Sequence, residues 1–267
     1  MVRCILYNPT MNYFYAIILG IVEGLTEFLP ISSTAHLIIA AKLLGLPQNE
    51  YWKFFEVFIQ AGSILAVAAA FFKYLKDKKL LTNIAFSFVP TAIVGLVLYK
   101  IIKNFFLGNM ILLSGALIIF GLVFLVVEWA IKNKKLKLYK KNKDIKPWEA
   151  LVLGLWQALA FIPGVSRAGI VMIGGMTMGI ERVEIALYSF MLAVPTIMAA
   201  AALDVVKTNR SVMMQSLSVS IVGFLAAFVS AYFVVRWFIG FLQRKDLTGF
   251  AWYRIVMGIL VLLFLSH

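Results

Sequence analysis

The chain has 267 residues, of which 63% are hydrophobic and only 14% charged, with a mean hydropathy of +0.95, against about half apolar and a quarter charged in a soluble domain. This balance excludes a water-soluble protein and a single-span anchor on a soluble domain, and leaves room for about six spans of roughly 20 residues. Lys and Arg outnumber Asp and Glu by 25 to 12, a net charge of +13. In a polytopic membrane protein that surplus belongs to cytoplasmic loops, and no basic stretch is interleaved with base-stacking aromatics, so no nucleic-acid partner is expected. The one cysteine, Cys4, leaves no internal disulfide and no Cys-based metal site. The first apolar stretch runs into Glu23 and Glu27 without a small-residue cleavage pattern, so no cleavable signal peptide is expected.

In chain order, the first apolar region, 13–46, is interrupted at Leu29-Pro30-Ile31-Ser32-Ser33-Thr34. Uninterrupted runs over 53–72, 83–103 and 110–131 then predict ordinary spanning helices. The segment 132–146 follows, with eight lysines against Asp144. A second region, 148–180, is interrupted at Ile162-Pro163-Gly164-Val165-Ser166-Arg167, and spans are predicted over 183–203, 214–240 and 251–266. Each half of an interrupted region is too short to cross a bilayer; proline ends the first half, and the hydroxyl residues that follow cap the second. Both read as re-entrant hairpins, because non-helical backbone at membrane depth is tolerated only where it is buried in protein or lines a cavity.

The two interrupted regions match each other at an offset of 133, Glu27–Ser33 against Ala160–Ser166, and Gly45 and Gly179 mark the helix ends beyond them. Interrupted segments at corresponding positions of two halves point to a midplane binding site in an inverted-repeat fold. The expected fold is therefore an all-α integral membrane protein, an inverted repeat of six transmembrane helices and two re-entrant helix–loop–helix hairpins. One domain covers 1–267, with repeat 1 over about 13–131, a basic cytoplasmic loop at 132–146 and repeat 2 over about 148–266. Lys73, Lys76, Lys78 and Lys79, the segment 132–146, and Arg236, Arg244 and Lys245 mark the cytoplasmic side, which leaves both termini external. The lysine run reads as a solvated loop that attracts anionic lipid headgroups.

Glu23 and Glu27 share one face of the half-helix before Pro30. Paired carboxylates persist in a membrane only where a cation, a shared proton or a watery cavity compensates them, and a divalent cation, Mg²⁺ or Ca²⁺, would find its preferred oxygen ligands there. Ser32, Ser33 and Thr34 open the next helix and offer an anion site at its N-terminus. His36 adds a group suited to proton transfer or to in-line attack on phosphorus; His267, the last residue, is a bystander. In the second loop Ser166 and Arg167 supply hydroxyl and guanidinium donors, a fork that fits phosphate. Arg254, in Trp252-Tyr253-Arg254, offers a second phosphate contact, and Gln60 lies on one stripe with Glu56 and Ser63. Asp204, Glu128, Glu149, Glu181 and Glu184 fall at predicted span ends and read as interfacial.

The run Gly20-Ile-Val-Glu23-Gly-Leu-Thr-Glu27-Phe-Leu-Pro30-Ile-Ser32-Ser33-Thr34-Ala-His36 closely resembles the first signature of the undecaprenyl-diphosphate phosphatase family of the bacitracin-resistance type, and Pro163-Gly-Val-Ser166-Arg167-Ala-Gly169 resembles the second. Phe55–Ser63, Ser189–Pro195 and Trp252-Tyr253-Arg254 match further family blocks, so the likeness covers essentially the whole chain. The resemblance implies an inverted-repeat membrane phosphatase that removes the terminal phosphate of a C55 polyprenyl diphosphate with the help of a divalent metal. It places Glu23 and Glu27 on the acidic, metal-binding pair, Ser33 and His36 on the candidates for nucleophile or proton donor, and Ser166, Arg167 and Arg254 on the phosphate-binding groups. Ala168 and Val171 stand where the family's second motif carries Ser and Thr, so two hydroxyl donors are expected to be missing from the phosphate site. A lipid-phosphate translocase on the same plan is the alternative function. Oligomeric state stays open, with a homodimer among the arrangements.

Overall fold

The computed structural model describes residues 9–46, 50–101, 109–207 and 210–265; Cys4, His267 and the connection around Lys103 lie outside them. The described residues form ten α-helices, a few short 3-10 turns and no β-strand: α1 (Pro9–Thr26), α2 (Ser33–Leu43), α3 (Glu50–Ala70), α4 (Lys78–Ile101), α5 (Met110–Lys132), α6 (Pro147–Ala158), α7 (Arg167–Thr177), α8 (Arg182–Lys207), α9 (Arg210–Leu242) and α10 (Thr248–Phe264). Hydrocarbon offers no partners to backbone N–H and C=O groups, so apolar segments close their hydrogen bonds within helices. Four of them, within α4, α5, α8 and α9, are long and apolar enough to cross a membrane; the apolar parts of α3 and α10, Phe54–Ala70 and Thr248–Phe264, are shorter. Large apolar side chains such as Leu96, Val97, Ile111, Val126 and Phe233 lie exposed on the outside, an apolar surface far beyond what a soluble monomer shows.

The two interrupted regions each fold as two short helices joined by a tight loop, α1–α2 and α6–α7. The loops end alike. Ser32 and Ser166 adopt φ 72° and 71° and cap the helices that follow, accepting from Ala35 N at 3.4 Å and Gly169 N at 3.1 Å. These two serines are thus the structural counterparts, not Ser33 and Ser166 as the proline alignment suggests; the second loop holds one residue more, Gly164. Left-handed Gly45 and Gly179 follow the far ends of α2 and α7, the usual glycine role after a helix.

Helix partners are exchanged between the halves: α1 packs along α9 while α6 packs along α4, α3 meets α9 while α8 meets α4, and α3–α8 and α5–α10 pair directly. The α1–α9 and α6–α4 contacts are backbone-close. A Cβ on Gly20 would sit 2.3 Å from Gly223 O, and one on Gly154 would sit 2.1 Å from Ser87 O, so glycine is required where the helices touch.

The lysine segment is more ordered than a solvated loop. Tyr139 N and Lys140 N donate to Gly179 O at 2.8 and 2.9 Å, and Glu181 N returns a bond to Lys140 O. Lys140 Nζ pairs with Glu149 at 2.5 Å, a hydrogen bond that raises the ammonium above the ordinary lysine range. Glu128 is buried, held by Nε and Nη2 of Arg182 and by Leu247 N, and Glu184 accepts from Asn142 N at 2.9 Å. These acids fasten helix ends to neighbouring segments rather than standing in an aqueous interface.

Candidate active site

The two loops meet in the interior beside a cavity of about 210 Å³ lined by Glu27, Ser32, Ser33, Thr34, Gln60, Ser166 and Arg167 among others. Seven of the residues singled out in the sequence are thereby brought together from both halves of the chain. Ser33 and Arg167 are the first residues of α2 and α7, so the positive ends of both helices face the same space. Both reach the same carboxylate. Ser33 Oγ donates to Glu27 Oε2 in a short hydrogen bond, and Arg167 Nη2 donates to Glu27 Oε1 at 2.8 Å.

Arg167 is oriented further by Ser189 O, which accepts from Nη1 at 3.0 Å, and by the Phe28 ring 5.7 Å away. Its Nε is buried with no hydrogen-bond partner among the described residues. That leaves a guanidinium donor to offer an anion in a desolvated site, where charge-assisted bonds are strong. A hydroxyl on a carboxylate, a free donor and two helix N-termini are groups that can serve as a nucleophile with its base and as donors to an anion.

Glu23, one turn back on α1, is fully buried and outside the cavity lining; neither of its oxygens has a hydrogen-bond partner among the described residues. It faces the charges of Glu27, Arg167 and Glu56. His36 and Arg254 also stand off the cavity wall. The His36 ring stacks on Tyr253 at 5.7 Å; Nδ1 lies 2.7 Å from Ser32 O and Nε2 2.8 Å from Tyr253 Oη. A carbonyl oxygen only accepts, so Nδ1 carries a proton, and in the neutral imidazole Nε2 then accepts from the tyrosine hydroxyl. Arg254 is completely buried. Its Nη1 donates to Pro30 O at 3.0 Å and its Nη2 to Gly164 O and Val165 O, both at 2.8 Å, so it ties the two loops together instead of facing the cavity.

Ala168 and Val171 are fully buried and absent from the lining. The hydroxyls they replace would therefore point into packed helix contacts, and the cavity wall is not short of donors on their account. The sequence reading missed Thr91, Gln157 and Thr196, which form one side of the cavity. The signal for two of them was present: each threonine follows a proline within a helix, Pro90 in α4 and Pro195 in α8, and a broken helix at membrane depth marks a polar interior.

A sequence model of the family described as bacitracin resistance protein BacA matches residues 16–260. The chain is 44% identical over 257 residues to the undecaprenyl-diphosphatase of Wolinella succinogenes, covering 96% of this chain and 99% of that protein. It is 44% identical over 262 residues to the undecaprenyl-diphosphatase of Campylobacter fetus, covering 96% and 100%. With the enzyme of the same name from Aquifex aeolicus the identity is 40% over 250 residues, 93% and 97% of the two chains.

Proposed function

The chain belongs to the BacA family, and on that premise we propose that it is an undecaprenyl-diphosphatase, cleaving the terminal phosphate from a long-chain polyprenyl diphosphate. The observation that carries this reading is the meeting of Ser33 and Arg167 on the Glu27 carboxylate at the cavity wall. In the mechanism Ser33 Oγ attacks the terminal phosphorus, its proton passes to Glu27, and the bond to the bridging oxygen breaks with its electron pair leaving on the polyprenyl phosphate. Arg167 Nε and the N-terminal N–H groups of α2 and α7 hold the phosphoryl oxygens, while Ser32, Thr34, Gln60 and Ser166 supply neutral contacts. Ser33 is favoured over His36 because it lines the cavity, whereas both His36 nitrogens are engaged elsewhere. His36 steadies the Ser32 carbonyl and with it the loop, and Arg254 holds both loops in register.

The donor set fits a hard cation. Glu23 brings two buried oxygens without partners among the described residues, and Glu27 follows one turn on. No cluster of three or more His, Cys, Asp or Glu is found among the described residues, so substrate phosphate oxygens and water would complete the ligands. A divalent cation held there by Glu23 and Glu27 would neutralise the charge of the diphosphate.

The proposed architecture is an inverted repeat of six crossings with re-entrant α1–α2 and α6–α7, supported by the exchanged helix partners and the twin serine caps. The protein would lie in the cell membrane with both termini external and the 132–146 segment cytoplasmic.

The test is phosphate release from a polyprenyl diphosphate by purified protein in detergent. Release with Mg²⁺ or Ca²⁺ and its loss with chelator are expected. A translocase would instead move lipid phosphate across proteoliposomes and release none in detergent, where there are no two sides to connect. Absence of metal-dependent release across several prenyl lengths, from folded protein, would overturn the phosphatase reading.

A further inference from the structure

One side of the cavity carries no charge: Thr91 of α4, Gln157 of α6 and Thr196 of α8. Each threonine commits its hydroxyl proton to a backbone carbonyl, Thr91 Oγ1 to Gly154 O at 2.9 Å and Thr196 Oγ1 to Leu192 O at 2.8 Å. A hydroxyl so committed can only accept from a further group. The Gln157 amide nitrogen donates to both, at 3.0 and 3.1 Å. Both amide hydrogens are used, which fixes which end of the amide is oxygen. Oε1 is left buried, without a hydrogen-bond partner among the described residues, on a side chain that lines the cavity.

A lone acceptor is the wrong partner for a diphosphate, whose own oxygens are acceptors. It is the right partner for water, which can donate one hydrogen to Oε1 and keep a lone pair for phosphorus. We propose that Gln157, locked by Thr91 and Thr196, is the positioning residue for the hydrolytic water. This rests on the reading of Ser33 as nucleophile, and assigns the second half of the reaction. The water oxygen forms a bond to the phosphorus of phospho-Ser33, and the P–Oγ bond breaks with its electron pair staying on Oγ. Glu27 returns to Oγ the proton it took in the first half. Both water hydrogens leave on the product as dihydrogen phosphate. Gln157 oxygen orients without acting as a base, since an amide does not take the proton.

The experiment uses polyprenyl diphosphate labelled in its terminal phosphate, wild-type protein and Gln157→Leu, quenched with acid during turnover. Gln157→Leu is expected to lower kcat at least about tenfold and KM in about the same proportion, leaving kcat/KM nearly unchanged, because only the step after the covalent intermediate is slowed. It should also accumulate acid-stable label on the protein approaching one phosphate per chain, which Ser33→Ala abolishes in the double variant. Thr91→Val with Thr196→Val keeps Gln157 but removes its anchors, and should accumulate label in the same way; it decides the matter if Gln157→Leu fails to fold. Slow turnover without label in the folded variants would assign Gln157 a packing role, and a raised KM with unchanged kcat would make it a substrate contact; either result overturns the proposal. Failure of wild-type protein to release any phosphate would instead overturn the phosphatase reading beneath it.

Discussion

Glu27 accepts from Ser33 and pairs with Arg167, and the proposed mechanism asks three things of that one carboxylate: base for Ser33, counterion for Arg167, and cation ligand with Glu23. Glu27→Gln keeps the shape and removes the charge, and Arg167→Lys keeps the charge and removes the fork that reaches both Glu27 and Ser189. Each is expected to lower turnover by at least about a hundredfold, the scale of losing one charge-stabilising group; phosphate release from variants with wild-type elution profiles and melting curves checks it. Ala168→Ser should leave the rate nearly unchanged, because that side chain is buried away from the cavity. Much of this site was legible in the residues, since charges and hydroxyls are costly in a membrane interior and so announce themselves. Direction was not. Arg254 reads as a phosphate ligand by its charge; in the structure its Nη groups bond three backbone carbonyls that no sequence pattern reveals, and it is not among the residues lining the cavity. Gln157 was silent for the opposite reason, being a neutral residue whose role exists only between two threonines from other helices.

Helices were legible to within a few residues because apolar length sets them: the expected span at 110–131 is observed as Met110–Lys132. The register between the halves was misjudged by one position, because a proline match cannot show that one loop is longer. Pairing was also hidden, since small residues at a helix contact look like any others until the facing backbone is known. Gly154→Ala places a Cβ 2.1 Å from Ser87 O and 2.6 Å from the Pro90 ring. Overpacking of this kind typically costs about 1–3 kcal/mol, and α6 carries Gln157, so both melting temperature in detergent and activity should fall. Gly240→Ala, on α9 with nothing within 4 Å of the added carbon, should be neutral or stabilising, since alanine is the better helix former. Equal melting temperatures for the two variants would contradict the close contact of α6 with α4.

Across the whole molecule the Lys/Arg distribution sets the expected orientation, and the stitching of residues 139–146 onto the α7–α8 junction and α4 gives that face a fixed shape. A cysteine at exposed Lys137 should be shielded from an impermeant reagent in intact cells and become labelled once the membrane is opened; labelling in intact cells would reverse the topology. Arg254 has a consequence of another kind. It stands on α10, and among the described residues it alone bonds the carbonyls of Pro30 and of Gly164 and Val165 at once. Synthesis runs from the N-terminus, so every group of the reaction centre is already in the membrane before the clasp that aligns them has been made. The expected consequence is that the site assembles only when the final stretch is inserted: a chain ending before α10 should be recovered in the membrane yet release no phosphate from a polyprenyl diphosphate, despite carrying Glu27, Ser33 and Arg167 intact.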